Sequence, residues 1–200
     1  TISYPNWSVT DSPMTAGTPY TYSARVIDAA GNQSAAGDTR AATYDATTRT
    51  ASITGAFNGS TPIGAATPDT TPEVRGSVNA TLLPGQWVRV LRGGVAVSGQ
   101  ITPSSGAWSF TTGTLSNAIH SFTATATDAA GNTSGSSSVL QVTVDAIAPS
   151  APAITGFSPD SDVSGDGITN ASQVTLTGTA AAGSTVKVYD GATLIKTLVA

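Results

Sequence analysis

Ala24 to Ser34 reads ARVIDAAGNQS, and Ala124 to Ser134 reads ATATDAAGNTS. The five residues Asp-Ala-Ala-Gly-Asn therefore occur twice, one hundred positions apart. In front of each copy the residues alternate. Tyr20, Tyr22, Ala24 and Val26 fall on one side, and His120, Phe122, Ala124 and Ala126 fall on the equivalent side. A period of two belongs to a β-strand, whereas a helix would need 3.6. Behind each strand the glycine is free to take positive φ and the asparagine can cap a tight turn. The stretch thus reads as a strand running into a turn, written twice.

Repetition extends beyond this motif, and repeats are to be found before anything else is read. Thr43-Tyr44-Asp45 answers Thr143-Val144-Asp145, SITGAF from Ser52 answers AITGFS from Ala153, and Trp7 answers Trp108. The alignment drifts where GSVNATLLPGQWVRV, from Gly76, stands against the shorter GTAAAGSTVKV, from Gly178. The period is about 100 residues. Alternating runs fill it: EVRGSV, WVRVLR, AWSFTT and LQVTV in the middle, then QVTLTGTA and TVKVYD. Pro84-Gly85, Gly93-Gly94, Ser105-Gly106 and Gly131-Asn132 separate them, and Asp190-Gly191 predicts a type I′ hairpin. About seven short strands per hundred residues make a β-sandwich. The expected class is all-β, with tandem sandwiches.

Pro and Thr mark the boundaries. VDAIAPSAPAITG, from Val144 to Gly156, has the composition of a stiff, extended connector, and YDATTRTASITG occupies the same place one period earlier. Residues 1–47 then form the C-terminal half of one sandwich, 48–147 a complete one, and 148–200 the N-terminal half of another. The chain is cut out of register with its domains. The missing halves are expected from neighbouring repeats of a longer protein, or from other copies packed head to tail. The chain opens on Thr1 with no signal-peptide pattern, which reads as an internal piece.

Composition narrows the function classes. The 200 residues are 39% hydrophobic and only 10% charged, with 21 Gly, 11 Pro and no Cys. Without cysteine there is neither a disulfide framework nor a thiolate metal site nor a cysteine nucleophile. A net charge of −4 and a pI near 4.6 argue against nucleic acid, whose phosphates need clustered Lys and Arg. Apolar runs are too short for a membrane-spanning helix. His120 is the sole histidine and Glu73 the sole glutamate, and no nucleophile-base set or phosphate-cradling loop can be assembled. The chain is not expected to be an enzyme. Trp87 has no counterpart in the other repeats and is the candidate for an exposed ligand contact, whereas Trp7 and Trp108 read as a shared core position.

The whole chain resembles the tandem bacterial immunoglobulin-like repeats of large type I-secreted RTX and biofilm-associated adhesins. The residues that carry the resemblance are Asp145-Ala146-Ile147-Ala148-Pro149, Asp166-Gly167-Ile168-Thr169-Asn170, Leu176 to Ala180, Gly183 to Gly191, Gly106-Ala107-Trp108 and Ala124 to Ser134. The middle repeat has TPDTTPE where the pattern has DGITN. The resemblance implies a spacer that projects a distant binding domain from a bacterial cell surface, hence an extracellular location. A carbohydrate- or protein-binding module of an adhesin is the alternative.

Acidic residues are the candidate ligands. Asp28 and Asp128 end strands at the lip of a sandwich, and Asp45 and Asp145 stand where a strand leaves for the linker. SPDSDVSGDGITN, from Ser158 to Asn170, holds Asp160, Asp162 and Asp166 within seven residues. The next repeat's acidic loop is expected to converge on the linker aspartates. Calcium suits such hard oxygen ligands, because it accepts six to eight of them in flexible geometry. With the resemblance, Asp28, Asp45, Asp128, Asp145, Asp160, Asp162 and Asp166 become the candidate calcium ligands at the inter-repeat joints.

Overall fold

The computed structural model describes residues 6–79, 85–163 and 165–200. Pro84 of the Pro84-Gly85 turn lies outside these. The chain divides into two compact units, Thr1–Ala146 and Ile147–Ala200. In the first, β1 (Pro19–Tyr22) pairs antiparallel with β2 (Arg40–Thr43), Tyr20 opposite Ala42. Tyr20 and Tyr22 stack their rings at 6.4 Å, yet the ribbon buries no residue.

Eight strands follow: β3 (Ala51–Asn58), β4 (Thr61–Pro62), β5 (Glu73–Val78), β6 (Trp87–Arg92), β7 (Val95–Ala96), β8 (Ala107–Thr111), β9 (Ala118–Thr127) and β10 (Leu140–Val144). They make two antiparallel sheets, in the orders β4-β3-β5-β8 and β10-β9-β6-β7. Alternation decides what is buried. Val74 and Val78 of β5, Val88 and Val90 of β6, Phe122, Ala124 and Ala126 of β9, and Val142 and Val144 of β10 point into one core. Burying each Val or Phe contributes about 1.5–3 kcal/mol. Gly93 (φ 57°) and Gly94 (φ 82°) both take the left-handed region that a two-residue type I′ hairpin requires between β6 and β7. Gly76 lies directly opposite Trp108, whose ring occupies the space a side chain at Gly76 would need.

The second unit has β11 (Ala153–Ser158) paired with β12 (Thr175–Thr179), and β13 (Thr185–Asp190) paired with β14 (Thr193–Val199). Ile154 faces Gly178 as Ile53 faces Gly76, so β11-β12 reproduces the β3-β5 register. Apolar side chains of both pairs, among them Ile154, Leu176, Val186, Val188 and Leu198, line a groove of about 310 Å³. The Asp190-Gly191 hairpin differs from expectation. Asp190 pairs with Thr193, so Gly191 and Ala192 form the turn, and only Gly191 has positive φ (57°). That is the pattern of a type II′ turn. A register shift between Val188 and Tyr189 accompanies it.

Trp7 departs further from its expected place. It is 74% exposed, whereas Trp108 is 4% exposed. Trp108 is covered because β5 runs beside it and Gly76 makes room. Among the described residues no strand stands beside Trp7 in that way.

Candidate functional site

One end of the sandwich gathers the start of β3, the start of β6 and the end of β9, because Ala51 pairs with Val78 and Trp87 with Thr127. The second Asp-Ala-Ala-Gly-Asn loop closes that end. Asp128 Oδ1 accepts the N–H of Ala130 and of Asn132, each at 2.9 Å. Its Oδ2 accepts Asn132 Nδ2, also at 2.9 Å. Gly131 (φ 92°) turns the chain so that the N–H of Asp128 reaches the carbonyl of Asn132 at 3.0 Å. Asp128 is only 2% exposed. The Asn132 amide, followed by the backbone N–H groups, holds its carboxyl below the usual carboxylate range.

The linker arrives at this same end. Asn132 Nδ2 donates a second bond, 2.7 Å long, to the backbone carbonyl of Asp45. Asp45 Oδ1 accepts the N–H of Thr47 at 2.8 Å. Thr50 then exchanges bonds with Asn79: its N–H reaches Oδ1 at 3.0 Å and its carbonyl takes the Asn79 N–H at 3.2 Å. Asp45 and Asp128 are thus brought to one joint with Asn132 between them. Asp28 makes the same loop contacts, through the N–H of Ala30 and Asn32 and through Asn32 Nδ2, and its carboxyl is lowered first by the Asn32 side chain. It remains exposed.

Asp145 lies at the opposite end. Its N–H bonds the carbonyl of Thr67 at 2.9 Å, and the N–H of Ala146 bonds Asn117 Oδ1 at 3.0 Å. The acidic loop of the second unit starts where β11 ends, about 17 Å along that strand from Ala153. Asp160 Oδ2 accepts the N–H of Gly165 at 2.6 Å, whereas its Oδ1 is buried and has no hydrogen-bond partner among the described residues. Asp166 Oδ1 accepts the N–H of Ile168 at 2.9 Å, and Asp162 sits at φ 68°. Ser161 and Thr169 tie the loop across, with Ser161 Oγ taking the N–H of Asn170 at 2.7 Å. Among the described residues no three His, Asp or Glu side chains come together as a metal-holding group. What receives the segment leaving Asp45 is the Asp128–Asn132 loop.

Residues 54–146 match the family model of the bacterial Ig-like domain. The match is just under half of the chain and runs from within β3 to the residue after Asp145. No curated protein matches the chain.

Within this Ig-like domain the other singled-out side chains are structural neighbours. Trp87 is half-buried, and the guanidinium of Arg89 covers one ring face at 4.6 Å from the centroid. His120 Nε2 lies 2.9 Å from the carbonyl of Ser116. Glu73 accepts from Arg75 and is lowered by it, and Arg75 also stacks 4.4 Å above Phe57. Serines are the residues that composition hid. Ser134 Oγ accepts the N–H of Ala126 and Ser137 Oγ that of Ala124, while Ser34 Oγ does the same for Val26 in the first repeat. Ser34 and Ser134 stand two residues after the repeated motif, which was the available signal.

Acid should loosen the Asp128 loop. The carboxylate is the hydrogen-bonded form, so its folded value lies below the unfolded one, and its contribution is present above about pH 4 and lost as the pH falls through the lowered value. The melting temperature by circular dichroism should fall between pH 5 and pH 2, less steeply in Asp128→Asn. Parallel profiles would contradict this reading.

Proposed function

We propose that the chain is an extender segment of a bacterial surface or secreted adhesin, in which tandem Ig-like repeats are stiffened at their joints by calcium. The observation that carries the reading is the joint itself: the strand-exit segment at Asp45 is pinned to the Asp128 loop of the Ig-like domain. A spacer needs such fixed joints between modules. The reading is structural rather than catalytic, and extracellular. No helix among the described residues is long and apolar enough to cross a membrane.

Two sets of carboxylates suit a cation to different degrees. Asp160 offers a buried Oδ1 that has no partner among the described residues, with Asp162 and Asp166 in the same loop. Asp128 is already held by three N–H bonds and contributes charge, with Asp45 beside it and Asp28 in the equivalent place. In a tandem array the counterpart of the acidic loop, the strand exit of the same repeat and the Asp128-type loop of the following one would share a joint. Asp145 would stand in the Asp45 position of the next. Bound calcium would neutralise the converging carboxylates and fix two repeats in one geometry.

Isothermal titration should give calcium binding at roughly 10⁻⁴ to 10⁻³ M, the range of extracellular modules, weakened in Asp160→Asn. No heat of binding in the wild type would overturn the metal assignment. Saturable binding to a glycan array, lost in Trp87→Ala, would favour the binding-module alternative.

The partner is another Ig-like repeat. Residues 147–200 carry counterparts of β3, β5, β6 and β7, and residues 6–47 carry those of β9 and β10. In the Ig-like domain β8 pairs with β5 and β9 with β6, leaving β12 and β13 with the corresponding edges to fill. An adjoining repeat, or residues 6–47 of a head-to-tail copy, would complete them. Light scattering should show association of this chain that rises with concentration and weakens in Trp7→Ala. A monomer at all concentrations would contradict completion by copies.

A further inference from the structure

We propose that the Asp-Ala-Ala-Gly-Asn loop is a preformed socket, and that its asparagine seats the strand-exit segment of the preceding Ig-like repeat by that segment's backbone carbonyl. The chain holds the loop in two states. In both copies the aspartate accepts N–H groups two and four residues on, its Oδ2 accepts the asparagine amide, and the glycine takes a φ of 89° or 92°. They differ in one bond. Asn132 Nδ2 also reaches the carbonyl of Asp45, 87 residues away in sequence, whereas among the described residues Asn32 Nδ2 bonds only Asp28.

The loop has the same internal geometry where its asparagine bonds a strand-exit carbonyl and where, among the described residues, it bonds none, so docking requires little ordering. The carboxylate behind the amide fixes its rotamer and aims the second N–H at the incoming chain. Because the acceptor is a main-chain carbonyl, the socket reads an extended backbone and tolerates variation at the exit side chain. The occupant of the Asn32 socket is accordingly a segment of the kind found at residues 44–47 and repeated at 144–147. The inference rests on the tandem-repeat reading but needs no metal.

The chain has no cysteine, so spin labels can be placed at Ala36→Cys and Gln100→Cys alone, and the distance distribution measured in EDTA. Asn132→Ala should replace a single narrow peak with a broad one. Asn32→Ala, which removes the same turn contacts from a loop whose asparagine bonds no strand-exit carbonyl among the described residues, should leave the peak unchanged. Asn132→Ser retains a turn-capping side chain too short for the carbonyl, and should broaden the peak with the domain still folded by circular dichroism. Equal broadening by Asn32→Ala and Asn132→Ala, or an unchanged peak in Asn132→Ala, overturns the proposal. A narrow peak in EDTA together with no calcium binding would count against the metal alone.

Discussion

Trp108→Ala should cost the Ig-like domain about 3–5 kcal/mol, the range for emptying a buried aromatic site. The side chain is 4% exposed, lies over Gly76, and donates its Nε1–H to the carbonyl of Ser77 at 3.2 Å. Removal leaves a cavity beside Gly76 and takes one donor from the Ser77 carbonyl, which Ser52 Oγ also reaches at 3.3 Å. Against a total stability of about 5–15 kcal/mol this is a large fraction. For a domain of this size the melting temperature should fall by at least about 12 °C. Trp7→Ala, at the position one repeat earlier, should change this domain by no more than about 0.5 kcal/mol, since Trp7 is 74% exposed. Denaturant melts of the two variants separate the cases, and equal losses would contradict the assignment of the core.

Gly76→Ala is expected to be almost as damaging, although it adds one methyl. Its Cβ would stand 2.0 Å from the carbonyl oxygen of Ser52 and 2.2 Å from the Trp108 ring. The first neighbour is backbone of β3, paired to β5 on either side, and cannot swing away. The strand or the ring must shift, at a cost of about 3 kcal/mol. Because the two residues touch, the Gly76→Ala cost should shrink in a Trp108→Ala background without vanishing, since the Ser52 contact remains. A loss under about 1 kcal/mol in the single variant would show that the sheet yields at this point.

Much of this fold is legible in the alternation. EVRGSV and WVRVLR bury every second residue, and β5, β6, β8 and β10 begin and end within a residue of their alternating runs. What alternation does not report is whether a strand has a neighbour. Tyr20, Tyr22 and Val26 repeat the pattern of His120, Phe122 and Ala126, but Phe122 is buried by a facing sheet and the first repeat has none among the described residues. Turn type was missed at Gly191 for a related reason, since a one-residue shift between Val188 and Tyr189 moves the hairpin register in a way no dipeptide records.

The candidate site was legible in part. Repetition singled out Asp28 and Asp128, and the linker position singled out Asp45. That Asn132, read only as a turn cap, spans from Asp128 to the Asp45 backbone depends on the packing of the Asp45 segment against the Asp128–Asn132 loop. A main-chain acceptor leaves no mark on residue identity. The acidic run at Asp160 was visible as composition, but its place at the far end of β11 follows from strand direction.

Small-angle scattering of the whole chain in calcium and in EDTA, with melting temperature measured alongside, tests most directly whether calcium stiffens the joints. The account predicts that calcium stiffens the joint around Asp145 and Ala148-Pro149, giving a more extended, less flexible particle and a higher melting temperature, both reversed by the chelator. The Asn132-held segment at Asp45 stays fixed in either condition. Superimposable scattering curves and identical melting temperatures in the two conditions would contradict it.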